Sequence, residues 1–165
     1  MLPQEDTTAK EPVPGLLVDA MLGRLARWLR LLGYDAVYWR DGSDAALAAW
    51  ARAEGRLIIT RDHQLAGRRG VKALLITSET LEEQVTQVRE ALGSRLCIQR
   101  PSPLTRCPEC NGELADLPRG LASGLVPAYV WHTQEAFRRC PDCGRIYWKG
   151  THWPGLQARL ETEDK

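Results

Sequence analysis

The chain has 165 residues, 44% of them hydrophobic, which is enough for one ordinary domain with a packed core plus a small appendage. Its 22 basic and 21 acidic residues give a net charge of +1, so a nucleic-acid partner would have to be bound by a local cluster of cations. No apolar run approaches the roughly 18 to 20 residues that span a bilayer, and residues 1–14 lack the basic and apolar regions of a secretory signal. We therefore expect a cytoplasmic protein without a membrane segment and with a disordered leader over residues 1–14.

Short apolar runs alternate with helix-like segments from Gly15 to Gly93. The runs are rich in β-branched or aromatic residues and are bounded by turn or charged residues, as strands are. This alternation predicts an α/β fold with a mostly parallel sheet covered by helices on both faces. The predicted strands are residues 15–18, 36–39, 57–60 and 73–77.

The first predicted helix follows Asp19 and has one apolar face, which spans about 120° on a helical wheel. Arg24, Arg27 and Arg30 form a stripe along its flank, and Gly33 is predicted to end it as a left-handed C′ residue. The residues of the apolar face are Met21, Leu22, Leu25, Trp28, Leu29 and Leu32.

Two further helices have recognisable ends. The second is predicted to begin after Ser43, a favourable N-cap, and to stop at Gly55. The third has Thr80 and Glu83 at the spacing of a capping box, and Gly93 is predicted to close it.

Three acidic residues follow predicted strands. Asp19 comes directly after the first strand, Asp62 follows the third, and Asp44 lies in the first turn of the second helix. Ligands of open parallel sheets bind at the carboxyl ends of the strands, so we expect these three carboxylates to share one edge. Magnesium and manganese bind such oxygen ligands and activate water, which predicts a catalytic metal site. Each acid is alternatively an ordinary helix-start residue, and Asp41 competes with Asp44 for the third place.

Cations near this edge are candidates for binding phosphates. Arg24 and Arg27 on the first helix, together with Arg61 beside Asp62, are predicted to contact a nucleic-acid backbone. Alternatively, the arginines of the first helix form an ordinary solvent-exposed face and bind no ligand.

Four of the five cysteines form two C-x-x-C pairs separated by 29 residues. In a chain without a signal peptide, this pattern favours a zinc site with four thiolates, which is closed and therefore structural. A redox pair is the alternative, whereas Cys97 is expected to be a buried hydrophobic residue. Gly112 and Gly144, which follow the pairs, are predicted turn residues. The predicted zinc ligands are Cys107, Cys110, Cys140 and Cys143.

The proline-containing stretch near residues 96–106 ends the alternation of strand-like and helix-like segments, and little helical periodicity follows it. The part beyond this stretch contains three aromatic residues with two possible roles: they stack on unpaired bases, or they cover the small core of a zinc ribbon. These residues are Tyr147, Trp148 and Trp153. His132 and His152 are expected to be structural or surface residues. The predicted domains are an α/β domain over 15–96, a zinc ribbon over 97–155 and a tail over 156–165.

Several motifs together resemble one known family. The segments LLVDAMLGRLARWLRLLGYDAVY, GRLIITRD, EEQV and RIYWKGTHW, with the two cysteine pairs, are similar to the PIN-like ribonuclease family known from the carboxy-terminal domain of the Mut-seven exonucleases. The resemblance covers residues 16–153 and implies a PIN-like fold with a C-terminal zinc ribbon. It also implies cleavage of RNA by metal-bound carboxylates at Asp19, Asp44 and Asp62. The chain departs from the family at a fourth acid, where only Glu79 is available.

These observations predict a metal-dependent ribonuclease that uses magnesium or manganese to hydrolyse RNA, with single-stranded RNA as the expected partner. Because water attacks, the expected products carry a 5′-phosphate and a 3′-hydroxyl. One alternative is a non-catalytic RNA-binding or adaptor module that recognises RNA through the ribbon. Another is a receiver domain, but the acidic pair and lysine that such a domain needs are not evident.

Overall fold

The computed structural model describes residues 13–95 and 101–150, together with residues 154, 155 and 158. The predictions for the leader up to residue 12, for Cys97, His152 and Trp153, and for most of the tail lie outside the described residues. Within the described part, none of the helices combines the length and the apolar character needed to cross a bilayer.

A parallel four-stranded sheet forms the centre of the N-terminal part, as predicted. Its strand order, β2-β1-β3-β4, reverses direction between β1 and β3, so the carboxyl ends of these neighbouring strands form the switch point where parallel sheets bind ligands. Val18 in β1 pairs with Tyr38 on one side and Ile59 on the other. The strands are β1 (Leu16–Val18), β2 (Ala36–Tyr38), β3 (Leu57–Thr60) and β4 (Ala73–Leu75).

Helices cover both faces of this sheet, which confirms the predicted layering. Successive strand residues point to opposite faces. Leu16 and Val18 therefore pack in the core formed with α1 and α4, whereas Leu17 and Ile58 pack with α2 and α3. The helices are α1 (Gly23–Leu31), α2 (Asp44–Glu54), α3 (His63–Ala66) and α4 (Leu81–Glu90).

The predicted helix ends are mostly correct. The Ser43 hydroxyl accepts a hydrogen bond from the Ala46 N–H, and Gly55 is left-handed at the end of α2. The capping box of Thr80 and Glu83 is present at the start of α4. The predicted stop at Gly93 is wrong, because the backbone continues through this glycine as a π-helical turn up to residue 95.

A second, antiparallel sheet lies in the cysteine-bearing part. Its order is β5-β6-β7, and the two short helices α5 and α6 lie between β5 and β6. This helical insertion accounts for the long spacing between the cysteine pairs. The elements are β5 (Ala115–Leu117), α5 (Arg119–Ala122), α6 (Ala128–Thr133), β6 (Phe137–Arg139) and β7 (Ile146–Tyr147).

Gly33 has both a conformational and a steric reason to be glycine. Its φ of +93° is left-handed, and a Cβ there would overlap the carbonyl oxygen of Ser102. Gly55 is also left-handed, with φ +65°, but has nothing within 4 Å of an added Cβ. We expect Gly33→Ala to lower the free energy of unfolding by about 2 kcal/mol more than Gly55→Ala, which costs about 1 kcal/mol through the backbone alone. Chemical denaturation of both variants measures this difference; equal losses would contradict the contact with Ser102.

Candidate functional site

The hydroxyl of Thr60 links two of the predicted acids. Asp19 directly follows β1 and donates its N–H to the Ile59 carbonyl at 3.0 Å. Thr60, the fully buried last residue of β3, donates its hydroxyl to Asp19 Oδ2 at 2.8 Å and accepts the Asp62 N–H at 3.0 Å. One buried side chain therefore orients Asp19 and positions the backbone of Asp62 at the switch point.

Both carboxylates also begin helical turns. Asp19 Oδ1 accepts the N–H of Ala20 at 2.7 Å, and Asp62 Oδ1 accepts the N–H groups of Gln64 and Leu65 at 2.7 and 3.1 Å. The helix-start alternative therefore describes part of what these residues do. Because Asp62 uses Oδ1 for both bonds and is partly exposed, its Oδ2 has no hydrogen bond within the described residues and is available to a ligand.

Asp44 has no hydrogen bond to this pair within the described residues. It is the exposed first residue of α2, while Asp41 is exposed in the preceding loop. In the part of the chain that the structure describes, Asp19, Asp44 and Asp62 do not form a preassembled group of metal ligands. The structure therefore links Asp19 with Asp62 through Thr60, whereas Asp44 follows β2 at the same end of the sheet without a described hydrogen bond to either acid. The role of Asp44 stays a prediction. Exposed Glu79, between β4 and α4, is placed at the same edge of the sheet.

The three predicted phosphate-binding arginines have different surroundings. Arg24, at the start of α1, and Arg61, between β3 and Asp62, are exposed and have no hydrogen bond or ion pair within the described part of the chain. Arg27 instead pairs with Glu109 in the cysteine-bearing segment. The structure thus leaves two of the three cations unpartnered near the carboxyl ends of the strands.

Arg30, the last member of the predicted stripe, is buried rather than exposed on a flank. Its guanidinium donates to the Ala36 carbonyl at 2.7 Å and to the Pro108 and Glu109 carbonyls at 3.1 Å. Arg30 therefore joins the end of α1 and the start of β2 to the loop that carries the first cysteine pair.

Asn111 reinforces this connection. Its Oδ1 accepts the Ala36 N–H at 3.0 Å, and its Nδ2 donates to Asp35 Oδ1 at 2.7 Å; Asp35 also pairs with Arg56 at 3.0 Å. Burial raises the pKa of Asp35, but the hydrogen bonds from Arg56 and Asn111 outweigh it and lower this pKa below its usual range. The stabilisation is therefore present above the unfolded pKa of about 3.9 and is lost as the pH falls through the folded value.

These contacts place the first cysteine loop at the amino end of β2. The carboxylates of Asp19 and Asp62 lie at the carboxyl ends of β1 and β3, on the opposite edge of the sheet. A strand of three residues spans about 10 Å, so the cysteine group and the carboxylates belong to separate sites.

The four cysteines of the two C-x-x-C pairs form a compact group. All four sulfur atoms lie within 4.8 Å of one another, with Cys107 and Cys143 at 3.6 Å and Cys110 and Cys140 at 3.4 Å. Four thiolates bound tetrahedrally to zinc at about 2.3 Å would be about 3.8 Å apart. The group can therefore hold one structural metal ion such as zinc.

The two cysteine loops have the same backbone hydrogen bond. The N–H of Asn111 donates to the Cys107 carbonyl at 2.9 Å, and the N–H of Gly144 donates to the Cys140 carbonyl at 2.8 Å. The left-handed residues are Asn111 at φ +69° and Gly144 at φ +77°. Gly112, a predicted turn residue, lies one position beyond Asn111, and asparagine takes the left-handed place because it tolerates this region. A Cβ on Gly112 would overlap the Asp142 carboxylate and would lie 3.2 Å from Cys140 Sγ.

Aromatic side chains next to the cysteines have structural contacts. The Tyr147 hydroxyl lies 3.1 Å from Cys107 Sγ. Burial raises the pKa of Cys107, but hydrogen bonds from Tyr147 and from backbone amides outweigh it and lower this pKa to about 7, which favours the metal-binding thiolate. Trp148 packs edge-on against Phe137 with ring centroids 6.4 Å apart. These contacts favour the ribbon-core interpretation of Tyr147 and Trp148 over base stacking.

Sequence reasoning did not identify Thr60, Asn111 or the buried role of Arg30. For Thr60 a signal existed, because a hydroxyl residue at the end of a strand and two positions before Asp62 can face the same edge. No local pattern indicates the partners of Arg30 and Asn111, which lie 78 and 75 residues away along the chain.

Comparison with known proteins identifies the family to which the chain belongs. Residues 14–160 match the sequence model of the Mut7-C RNAse domain. Neither a curated protein nor a solved structure matches the chain. Because the matched region includes both the parallel sheet and the cysteine group, the protein belongs to the Mut7-C RNAse domain family.

Proposed function

We propose that this protein is a metal-dependent ribonuclease whose active site is the edge that carries Asp19 and Asp62. The observation that supports this best is the Thr60 hydroxyl, which links both acids at the strand-order reversal. Membership of an RNAse domain family implies a nuclease-type function and an RNA substrate. The carboxylates are partly exposed, so a substrate can reach them.

Magnesium or manganese is the proposed catalytic cofactor. Asp19 and Asp62, with Asp44 as the third proposed ligand, would hold it, because hard divalent cations prefer carboxylate oxygens. When bound, such an ion lowers the pKa of water and offsets charge that develops on the phosphodiester. In the protein itself, Thr60 orients the Asp19 carboxylate, and the exposed Arg24 and Arg61 attract the RNA backbone.

We further propose that the cysteine group binds zinc for folding only. Four thiolates fill a tetrahedral site, so none of its positions is left for substrate. Its place at the opposite edge of the sheet agrees with a structural role.

The direct test is cleavage of labelled RNA by the wild-type protein with and without added magnesium or manganese. We expect metal-dependent cleavage of single-stranded RNA, weaker cleavage of a duplex of the same sequence, and products with 5′-phosphate and 3′-hydroxyl ends. Cyclic phosphate ends would contradict water attack. RNA binding without cleavage would favour the adaptor alternative, which the helix-start bonds of Asp19 and Asp62 also accommodate.

The surroundings of the helix arginines predict different effects of two matched substitutions. Arg24→Gln is expected to weaken RNA binding several-fold and to reduce the salt dependence of the affinity by about one phosphate contact. Arg27→Gln removes the ion pair with Glu109 and should change RNA affinity less. Fluorescence anisotropy at several salt concentrations measures both; a larger effect at Arg27 would reverse the assignment.

A further inference from the structure

A cavity lies at the amino ends of the parallel strands, away from the carboxylates. It has a volume of about 220 Å³ and is bounded by the last turn of α2 and by the loop between α3 and β4. Its lining includes three cationic side chains and no carboxylate, together with small or apolar residues. The cationic residues are Arg52, Arg56 and Lys72.

Two of these cations are available to a ligand. Arg56 already has partners within the protein, because it pairs with Asp35 at 3.0 Å and donates to the Leu16 carbonyl at 3.2 Å. Arg52 uses its Nε to donate to the Ala48 carbonyl at 3.2 Å, which leaves its Nη groups free of hydrogen bonds within the described residues. Lys72 is exposed and has no partner in the same described part.

The backbone shape also exposes this cavity. Gly55 ends α2 and Gly70 precedes β4, both with left-handed φ, and neither adds a side chain to the wall. Arg52 extends from α2 towards the opposite loop, where its Nη1 lies 3.6 Å from the position of a Cβ on Gly70. The exposed Arg68 and Arg69 in this loop add positive charge nearby.

We propose that this cavity binds a phosphate group through Arg52 and Lys72. Arginine pairs with phosphate oxygens through two parallel hydrogen bonds, and lysine adds a point charge. The favoured source is a backbone phosphate of the RNA, and this choice of source rests on the proposed function. Since the cavity lies near the amino ends of β3 and β4, the phosphate bound there is distant from the one that is cleaved. Binding in the cavity therefore increases RNA affinity without contact with the reacting phosphate.

The test uses Arg52→Gln, Lys72→Gln and the double variant of the full chain, with Lys149→Gln on the ribbon as the matched control. Thermal melting with inorganic phosphate, compared between the wild type and these variants, reports on phosphate binding in the cavity without RNA. Fluorescence anisotropy with a single-stranded RNA, without added divalent cation, measures RNA affinity and tests whether the bound phosphate belongs to the RNA backbone. We expect each single variant to weaken RNA binding about 3- to 10-fold and to reduce the salt slope by about one contact, while Lys149→Gln changes neither.

The outcomes separate this proposal from the ribonuclease. Phosphate protection that depends on Arg52 and Lys72, with unchanged RNA affinity, supports the cavity but assigns it a free phosphate or a small phosphorylated ligand. Unchanged phosphate protection and unchanged RNA affinity in the double variant overturn the proposal even if the wild type cleaves RNA. Absence of cleavage by the wild type, with phosphate binding intact, overturns the proposed function and leaves the cavity supported.

Discussion

Asp19→Asn and Asp62→Asn are each expected to reduce metal-dependent cleavage of RNA by at least about 1,000-fold. An amide keeps the shape of the carboxylate but removes the charge that holds a divalent cation, and such an ion contributes several kcal/mol to the stabilisation of the transition state. The fold should survive, because an asparagine oxygen still accepts the N–H bonds that Asp19 and Asp62 now receive. Initial rates at saturating metal, measured with thermal melting of the same samples, test this expectation.

Three further variants sharpen this test. Asp41→Asn and Asp44→Asn are compared with each other, since both are exposed and only Asp44 is a proposed ligand. Thr60→Val keeps the shape but removes the hydroxyl donated to Asp19 and leaves the Asp62 N–H unpaired, so we expect a rate loss of about 10- to 100-fold and a loss of about 1–3 kcal/mol in stability. Full activity in Asp19→Asn and Asp62→Asn would identify both acids as helix-start residues only, because asparagine caps a helix about as well as aspartate.

Cys140→Ser is expected to lose the bound zinc and to destabilise the parallel sheet as well as the ribbon. Structural zinc sites in zinc-finger peptides contribute about 10–16 kcal/mol of apparent binding free energy, and loss of one buried thiolate opens the closed site. The effect should reach the sheet because Arg30 and Asn111 bond the first cysteine loop to Ala36. Metal analysis gives the zinc content, and hydrogen exchange of the β1 and β3 amides reports on the sheet.

Two controls define the origin of this effect. Cys97→Ser changes the thiol outside the four-cysteine group and should leave one zinc per chain. Arg30→Met leaves all four thiolates in place but removes the donor to three carbonyls, so zinc should stay bound while stability falls by about 1–3 kcal/mol. If zinc removal leaves exchange in β1 and β3 unchanged, the ribbon and the sheet fold independently.

The local features of this protein were predictable because they depend on near neighbours in the chain. Ser43 and the Thr80–Glu83 capping box satisfy free N–H groups within one helical turn, and Gly55 ends α2 through its own backbone conformation. The parallel direction of the strands was predictable too, since strands that alternate with helices are joined by crossovers. The spacing of the cysteine pairs correctly indicated four sulfur atoms close enough to hold one metal ion, because thiolates in this pattern have few other uses in such a chain.

The sequence alone determined that Asp19 and Asp62 follow strands, but only the tertiary structure decided that β1 and β3 are neighbours at the switch point. Strand order is set by packing between segments far apart in the chain, which no local period encodes. The same reason applies to the arginine stripe, where equal spacing on one helix led to exposed Arg24, ion-paired Arg27 and buried Arg30. These differences arise because α1 runs from the carboxylate edge towards the docked cysteine loop, so each turn of the helix meets a different neighbour.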